Sequence, residues 1–322
     1  MNKYIGLDLG GTLLKAAVVD TEDGTVSGLK RIETRARAGH DAVIERMAEL
    51  IGSVIEDSGV SKSQIGGVGI GVPGVLDLDK GEVVFLPNLH GQWPNVPLRQ
   101  RIEASIGLPT HLINDVRSMT LAEWTFGAGK GVDTIACFAI GTGIGGGLVI
   151  NGQLHLGVNG TAGELGHQII DMNGPKCGCG SRGCLEAFAS GPAIVAMGIK
   201  AVVQGLTTDI GTLAEYDLNK ITPKLIYEAA MQGDEIANDI FKRAGFYIGI
   251  AVASTLAAVG PRKIVIGGGV SQAGDLLLEP IRQTVRERFF IVPTKEFEIV
   301  QAALGADAGL IGAALWACKL SS

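Results

Sequence analysis

The chain has 322 residues, 46% of them hydrophobic, and a formal net charge of −6. That length exceeds one ordinary core, so we expect two domains or one large α/β domain rather than a disordered chain. No run of lysine and arginine is present, so we expect no nucleic-acid partner. The first residues do not resemble a secretory signal, and we therefore predict a cytoplasmic protein whose five cysteines stay reduced.

Two segments with the same pattern predict two related α/β halves. Residues 4–20 (YIGLDLGGTLLKAAVVD) and residues 134–152 (TIACFAIGTGIGGGLVING) each place a turn of glycine and threonine between two apolar runs. Apolar runs bounded by glycine are typical of a strand, a turn and a second strand. Because such hairpins alternate with helices along the chain, we expect each half to contain a mixed sheet.

The other elements follow in chain order from apolar periodicity and from start and stop signals. We predict helices at residues 41–58, 115–126, 234–259, 275–289 and 306–318, and strands at 110–113 and 263–270. The irregular segment 205–220 is expected at the surface. The uncharged stretch 244–259 is shorter than the roughly 18 to 20 residues of a membrane span, so we predict a buried helix and no membrane partner.

Three glycine turns indicate a phosphate site. The sequence GTGIGG at 141–146 matches G-x-G-x-x-G, but the dinucleotide-binding motif opens a helix, whereas a strand-like run follows here. Any one glycine turn could be a tight hairpin whose glycines need positive φ angles. Three in one chain favour nucleotide binding, because glycine turns present bare backbone N–H groups to anions. The predicted nucleotide and Mg²⁺ ligands are Asp8, Gly10, Gly11, Thr12, Lys15, Gly141, Thr142, Gly143, Gly267, Gly268 and Gly269.

These turns, DLGGT, IGTGIGGG and IGGG, resemble the phosphate and adenosine motifs of the actin, hexokinase and sugar kinase ATPase superfamily. The segment GELGHQIID…CGCGSRGCLE resembles the signature of the ROK family, which comprises sugar kinases and sugar-responsive repressors. The resemblance implies an α/β protein with two RNase H-like domains, mixed sheets and an interdomain cleft. We place the domains at residues 1–120 and 121–305, with a C-terminal helix at about 306–322 that packs back on the first domain.

One histidine and three cysteines are spaced as metal ligands. The pattern is His167-x9-Cys177-x-Cys179-x4-Cys184, and three thiolates with one imidazole provide the four ligands of a structural zinc site. A disulfide is the alternative, although three neighbouring cysteines would leave one unpaired. The family resemblance also implies zinc at these four positions. Glu164 and Glu186 flank the loop, and carboxylates are good acceptors for sugar hydroxyls.

The sequence LINDVR at 112–117 ends a predicted strand and begins a helix, where α/β folds place ligands. Asp115 could be only a helix N-cap, but the resemblance implies that it is the catalytic base and that Asn114 binds the sugar. By the same resemblance Gly74 and Asn88 face the sugar. We also predict Glu164, His167 and Glu186 as sugar ligands, because a metal-clamped loop would hold their side chains beside the same cleft. Trp93 could pack in the core or stack on the sugar.

The resemblance implies ATP-dependent phosphorylation of a hexose at its 6-hydroxyl, with Mg²⁺ as cofactor. Glucose is the expected substrate, because PNLHGQWPNVPL at 87–98 resembles the glucose-phosphorylating branch. N-acetylmannosamine or N-acetylglucosamine is the alternative acceptor, and polyphosphate remains open as donor. A sugar-sensing regulator of the same family is the alternative from another class; it would carry an N-terminal helix-turn-helix, for which the motif at Asp8 leaves no room. The family implies a homodimer or homotetramer.

Overall fold

The computed structural model describes residues 1–86 and 89–321. Its chain forms two compact units, and the polypeptide crosses from one to the other four times. The first unit comprises Met1–Gly131, Gln153–Gly163 and Ala303–Ser322, and the second comprises Val132–Gly152 and Glu164–Ala302. The boundary expected at residue 120 falls inside a helix, and the first crossing lies after Gly131.

The described residues contain these strands: β1 (Lys3–Leu9), β2 (Leu13–Asp20), β3 (Val26–Glu33), β4 (Ile65–Val72), β5 (Val75–Asp77), β6 (Glu82–Phe85), β7 (Thr110–Asn114), β8 (Ile135–Ile140), β9 (Ile144–Ile150), β10 (Gln153–Leu154), β11 (Lys263–Gly267) and β12 (Glu298–Gln301). They contain these helices: α1 (His40–Ser58), α2 (Leu98–Ile106), α3 (Asp115–Thr125), α4 (Glu186–Ala189), α5 (Gly191–Val203), α6 (Ile210–Leu213), α7 (Pro223–Met231), α8 (Glu235–Val259), α9 (Asp275–Arg288) and α10 (Ala308–Ser321).

Both units repeat one strand topology. In the first, the sheet order is β3-β2-β1-β4-β7, with antiparallel pairs on the β3 side and parallel pairs from β1 to β7. In the second, β8 pairs antiparallel with β9 and parallel with β11, which pairs parallel with β12. The prediction of two related halves with mixed sheets is therefore confirmed. The carboxyl ends of the central parallel strands lie at the same edge of each sheet, which is where α/β folds place ligands.

The amphipathic helix α1 covers one face of the first sheet. Its apolar positions recur at helical spacing, so Val43, Met47 and Ile51 are fully buried against the strands. The helix ends at Gly59, whose φ of 69° is the left-handed conformation that glycine adopts at little cost. Local sequence signals thus determine both the face and the end of this helix.

On the opposite face α10 approaches the sheet so closely that side chains do not fit at the contacts. A Cβ added to Gly6 would lie 1.8 Å from the carbonyl oxygen of Leu310, and one added to Gly69 would lie 1.7 Å from that of Ala313. Gly312 has the same relation to the carbonyl oxygen of Ser118 on α3. These glycines are therefore required by helix packing, and the packing places the start of α10 beside the carboxyl end of β1.

A buried carboxylate holds two crossing segments of the first unit. Glu123 on α3 is fully buried. Its Oε2 accepts hydrogen bonds from the amides of Ala128 (2.9 Å) and Ala303 (3.0 Å), and its Oε1 accepts one from Leu304 (2.8 Å). A carboxylate has enough lone pairs for three donors, which is why a buried charge is tolerated here. Glu123 thus joins the chain leaving the first unit to the chain returning to it.

We expect Glu123→Gln to lower the free energy of unfolding by about 2 to 4 kcal/mol, because the new amide group would point its hydrogens at one or two buried N–H donors. Urea denaturation of the full chain measures this. Glu22→Gln, at the surface of the same unit, is the control and should change stability by less than about 0.5 kcal/mol. Equal stability of both variants would contradict the role given to Glu123.

In the second unit α8 forms the centre of the core. The Asp234 side chain caps it by accepting from the amide of Ala237, and Gly260 ends it with a φ of 62°. Among the described residues, this is the one helix that is long and apolar enough by length and composition to cross a membrane, and 56% of its most apolar window is buried in the protein. A helix in the core of a folded protein can have the same length and apolar composition. The helix predicted at 234–259 is confirmed at Glu235–Val259, and its uncharged part, residues 244–259, is largely buried in the protein as expected.

The segment 205–220 is packed more closely than its sequence indicates. It contains α6, and Ile210 and Ala214 are fully buried in the core of the second unit. The prediction of a surface segment is therefore wrong for these residues. Only two of its side chains point inward, so no apolar periodicity long enough to predict a helix was present.

Candidate functional site

The first phosphate turn connects β1 to β2. The amide of Gly10 donates to the carbonyl of Leu13 (3.0 Å), and a Cβ on Gly10 would lie 2.7 Å from that same oxygen. Gly11 and Thr12 are exposed at the tip. Thr34, which is fully buried, donates its hydroxyl to the carbonyl of Gly10 (2.6 Å). Gly10 is therefore needed because the turn is tight, although its φ lies outside the positive range, and the tip stays open to a ligand.

Asp8 lies at the carboxyl end of β1 beside Lys15. The Lys15 Nζ lies 3.4 Å from Asp8 Oδ2 and donates to the carbonyl of Ala306 (2.9 Å). Burial raises the pKa of Asp8, and the charge of Lys15 opposes that shift. Gly309 leaves room at the carboxylate, since a Cβ there would lie 3.2 Å from its carbon. The Asp8 carboxylate has space beside Gly309, and Lys15 only partly offsets the cost of burying its negative charge. Such a carboxylate is suited to hold Mg²⁺.

The candidate base occupies the first residue of α3. Asn114, and not Asp115, is the N-cap: its Oδ1 accepts from the amides of Val116 (3.1 Å) and Arg117 (3.2 Å). Its Nδ2 lies 3.4 Å from the carbonyl oxygen of Gly74. Asp115 Oδ1 accepts from the adjacent amide of Val116 (2.9 Å). The helix therefore does not need Asp115 as its N-cap.

The remaining sugar candidates of the first unit are Gly74, Asn88 and Trp93. Gly74 has a φ of 90°, so its backbone conformation requires glycine. Asn88 lies outside the described residues. Trp93 is fully buried in the apolar core of the first unit, and its ring lies edge-on to His40 with centroids 6.3 Å apart. Of the two interpretations of Trp93, the structure therefore supports core packing.

The second phosphate turn connects β8 to β9. Gly141, Thr142 and Gly143 form it, with Thr142 exposed and the two glycines half-buried. A Cβ on Gly141 would meet nothing within 4 Å, whereas one on Gly143 would lie 2.3 Å from Glu186 Oε2. Neither glycine has a φ in the positive range. The backbone conformation of the hairpin therefore does not require glycine at either position. Open space surrounds Gly141, whereas the Glu186 carboxylate occupies the place of a side chain at Gly143.

The third glycine turn follows β11. Gly267 ends the strand, three residues before the predicted end at 270. Gly268 has a φ of 85° and packs on Ile140, whose carbonyl oxygen would lie 2.4 Å from an added Cβ. A Cβ added to Gly269 would meet nothing within 4 Å, and this residue begins a short 3-10 helix. Gly268 is thus needed for packing against the end of β8, and Gly269 is the open position.

The four predicted metal ligands come together. One ligand atom from each of His167, Cys177, Cys179 and Cys184 lies within 4.8 Å of the others. Cys179 Sγ and Cys184 Sγ are 3.7 Å apart, and Cys177 Sγ lies 3.8 Å from His167 Nδ1. Zn–S bonds of about 2.3 Å at tetrahedral angles put two sulfurs about 3.8 Å apart. These two separations are therefore close to those of a tetrahedral zinc site.

The chemistry of the donors also fits a cation. Burial raises the pKa of Cys177 to about 12, so a thiolate at this position requires a positive charge to stabilise it. Backbone pairing holds the loop in shape: Cys177 N donates to Ser181 O (2.9 Å), and Ile169 forms a β-bridge with Cys184. Separate sulfurs at 3.7 Å are not a disulfide, which has an S–S bond of about 2.05 Å.

Two carboxylates flank this cluster. Glu164 Oε2 lies 4.0 Å from His167 Nε2, and the Glu164 side chain is 47% exposed. Glu186 begins α4 and is half-buried; its Oε2 accepts from the amide of Ile144 (3.0 Å), and its Oε1 lies 3.5 Å from Cys177 Sγ. The loop thus places the two carboxylates beside the imidazole and beside the phosphate turn, respectively.

Three residues near these turns were not found from the sequence. Thr34 holds the first turn, Gly309 leaves room at Asp8, and Arg117, 3% exposed on the helix of Asp115, donates its Nε to the carbonyl of Ala162 (2.9 Å). Each acts through a partner distant in sequence and has no local motif. The one signal in the sequence was an arginine two positions after the candidate base, and its burial became known only from the structure.

The family model that describes the ROK family matches residues 4–319, and the chain belongs to the ROK family. It is 39% identical over 319 residues to a glucokinase from Thermotoga maritima, covering 97% of this chain and 96% of that protein. A glucokinase from Halalkalibacterium halodurans is 36% identical, with 96% and 93% covered. The solved structure of a ROK family glucokinase from Streptomyces griseus in complex with glucose and AMPPNP matches with a TM-score of 0.86 and 34% identity, covering 98% of this chain and 99% of that chain. These likenesses confirm the actin/hexokinase-type ATPase fold.

Proposed function

We propose that the protein is a hexokinase-type phosphotransferase that transfers the γ-phosphate of ATP to the 6-hydroxyl of glucose. The observation that carries the proposal is the start of α3. Asp115 is half-buried at the carboxyl end of β7, and the N-cap of α3 is the neighbouring Asn114. Full-length similarity to glucokinases, and to a structure that holds glucose and an ATP analogue, supports this substrate pair.

In this proposal Asp115 accepts the proton of the 6-hydroxyl while the hydroxyl oxygen attacks the γ-phosphorus in line and ADP leaves. Phosphoryl transfer needs little covalent help, and its rate depends on an aligned hydroxyl and on charge stabilisation. Asn114 supports the alignment, because its bonds to the helix amides and to Gly74 leave little freedom at the end of β7. Gly74, Asn88 and Asn114 are the proposed sugar ligands of this segment.

The triphosphate is bound in this proposal by the exposed turns. The amides of Gly10 and Gly141 close the two turns, and the backbone amides of Gly11, Thr12, Thr142 and Gly143 donate to the phosphate oxygens together with the hydroxyls of Thr12 and Thr142. Lys15 contributes a positive charge at β2. Mg²⁺, held by Asp8, neutralises phosphate charge when it is bound. Gly267, Gly268 and Gly269 lie along the adenosine, with Gly269 providing the open backbone surface.

The remaining proposed sugar ligands are Glu164, His167 and Glu186. With His167 Nδ1 directed at the thiols, its Nε2–H is available to donate to a sugar hydroxyl, while a carboxylate accepts from two. A structural zinc ion at His167, Cys177, Cys179 and Cys184 would hold the loop in this arrangement. We further propose a cytoplasmic location and a homodimer or homotetramer.

Steady-state assays with ATP test the substrate. We expect glucose to give the highest kcat/KM in a panel with mannose, fructose, N-acetylglucosamine and N-acetylmannosamine, each coupled to ADP formation. Polyphosphate in place of ATP tests the donor in the same panel, with sugar phosphate formation as the measurement, because this donor releases no ADP. Preference for an N-acetylated sugar would replace glucose in the proposal, and sugar binding without turnover on any member would indicate a regulator of the same family.

A further inference from the structure

The phosphate turn of the second unit is held from outside by the segments that surround the cysteine loop. Gly191, at the start of α5, donates its amide to the carbonyl of Gly141 (2.8 Å). Gly166, next to His167, lies so close to Ile144 that an added Cβ would be 1.8 Å from its carbonyl oxygen. The turn from Gly141 to Ile144 is therefore shaped by the same segments that carry the metal ligands.

Glu186 is the side chain that joins the two features directly. Its Oε2 accepts from the amide of Ile144 at 3.0 Å, and its Oε1 lies 3.5 Å from Cys177 Sγ. One carboxylate thus contacts the phosphate turn with one oxygen and the metal loop with the other. A hydrogen bond to a charged acceptor is stronger than a neutral one, so this contact has a measurable effect on the turn.

The glycine at position 143 is explained by this contact. A Cβ there would lie 2.3 Å from Glu186 Oε2 and 3.3 Å from its carboxyl carbon. The φ angle at Gly143 is not positive, so the backbone itself would accept alanine. Gly141, two residues earlier in the same turn, has open space where a Cβ would be. Residue 143 is therefore small so that the Glu186 carboxylate reaches the amide of Ile144.

We propose that Glu186 is a positioning residue for the phosphate turn, in addition to its role as a sugar ligand, and that it couples the sugar and metal side of the second unit to nucleotide binding. The identity of the two ligands rests on the proposed function. Two ligands that share one contact influence each other's affinity by the same factor. Because bound glucose would contact the same carboxylate that holds the turn, glucose and nucleotide should each tighten the binding of the other, by about 5- to 150-fold.

Calorimetric titration of the full chain with AMPPNP and Mg²⁺ tests this without turnover. Glu186→Ala and Gly143→Ala should each weaken AMPPNP binding by about tenfold, and glucose should no longer tighten it. In the double variant the methyl group added at position 143 no longer meets a carboxylate, so its added effect should fall below about twofold. The proposal is overturned if the losses of AMPPNP affinity in the two single variants add in the double variant, which is an additive double-mutant cycle. It is also overturned if Glu186→Ala leaves the AMPPNP affinity unchanged.

Two further variants distinguish this coupling from damage to the turn. Gly141→Ala meets no neighbour in the protein, so any loss of AMPPNP affinity that it causes should be equal with and without Glu186. Glu186→Gln keeps an oxygen for the amide of Ile144 and should stay within about threefold of the wild type for AMPPNP; a loss as large as that of the alanine variant contradicts the hydrogen bond as the link. Zinc content, measured in every variant, should equal that of the wild type.

The same preparations separate this inference from the proposed function. Wild-type protein that binds AMPPNP but does not phosphorylate glucose would count against the proposed function, while the binding cycle would still report on Glu186 and Gly143. Conversely, an active glucose kinase with an additive cycle would remain a glucose kinase, and only the coupling through Glu186 would be lost.

Discussion

Asp115→Asn should lower kcat for glucose phosphorylation by about 10²- to 10⁴-fold while glucose binding changes little. An asparagine has the shape of aspartate but cannot accept the proton of the 6-hydroxyl, and general base catalysis has effects of this size. The fold should be unaffected, because the Asn114 side chain caps α3 and an amide oxygen at 115 can still accept from Val116. Coupled ADP formation measures kcat, and calorimetry measures the affinity for glucose.

The control for this prediction is Asp41→Asn. Asp41 is in the first turn of α1, so its substitution also removes a negative charge from a helix N-terminus, at an exposed position outside the proposed site. It should leave kcat within about twofold of the wild type. A small effect of Asp115→Asn on kcat together with a large effect on glucose affinity would show that Asp115 binds the sugar and is not the base.

Cys184→Ser should remove most of the metal affinity and most of the glucose affinity together. Structural zinc sites release roughly 12 kcal/mol on binding, so the loss of one of four ligands costs about 3 kcal/mol, or about 100-fold. Cys184 is fully buried, and its backbone bridges to Ile169. Because His167 and Glu186 stand at the two ends of the loop, a loop without its metal no longer holds the proposed sugar ligands in place.

Metal analysis after dialysis gives the zinc content, and calorimetry gives the affinity for glucose. Cys318→Ser is the matched control, since Cys318 lies on α10 outside the cluster, and it should retain both metal and glucose binding. Removal of zinc from the wild type by a chelator should reproduce the glucose defect, and its restoration by added zinc should reverse it. Full zinc content in Cys184→Ser would contradict the assigned ligand set.

Elements whose signals are local in the sequence were predicted well. Helix α1 has its apolar stripe and its terminal glycine within twenty consecutive residues, and it was expected at 41–58 and observed at His40–Ser58. The helix α8 is capped at the predicted Asp234 and ends at the predicted Gly260. The duplicated hairpin pattern predicted two similar mixed sheets, because the alternation of strands and helices was repeated along the chain.

In the proposed site, too, local sequence patterns predicted some features, while others depended on contacts between residues distant in sequence. The predicted metal ligands lie within 18 consecutive residues, so their spacing alone defined a group that the structure brings within 4.8 Å. The roles of the glycines depended on distant partners: Gly143 faces a carboxylate whose hydrogen bond spans 42 positions, and Gly69 lies under a carbonyl of α10. The sequence indicated that these positions were small, but it did not indicate what occupies the space.

The amino-acid sequence by itself thus determined the family, the two-unit α/β organisation and the candidate ligands, because these depend on residue types at short spacing. Tertiary structure decided that Asn114 and not Asp115 caps α3, that Trp93 packs in the core, and that Glu123 joins segments 180 positions apart. It also placed Glu186 on the phosphate turn. These outcomes depend on which backbone amides and carbonyls meet a side chain after folding, and no pattern of neighbouring residues specifies such long-range contacts.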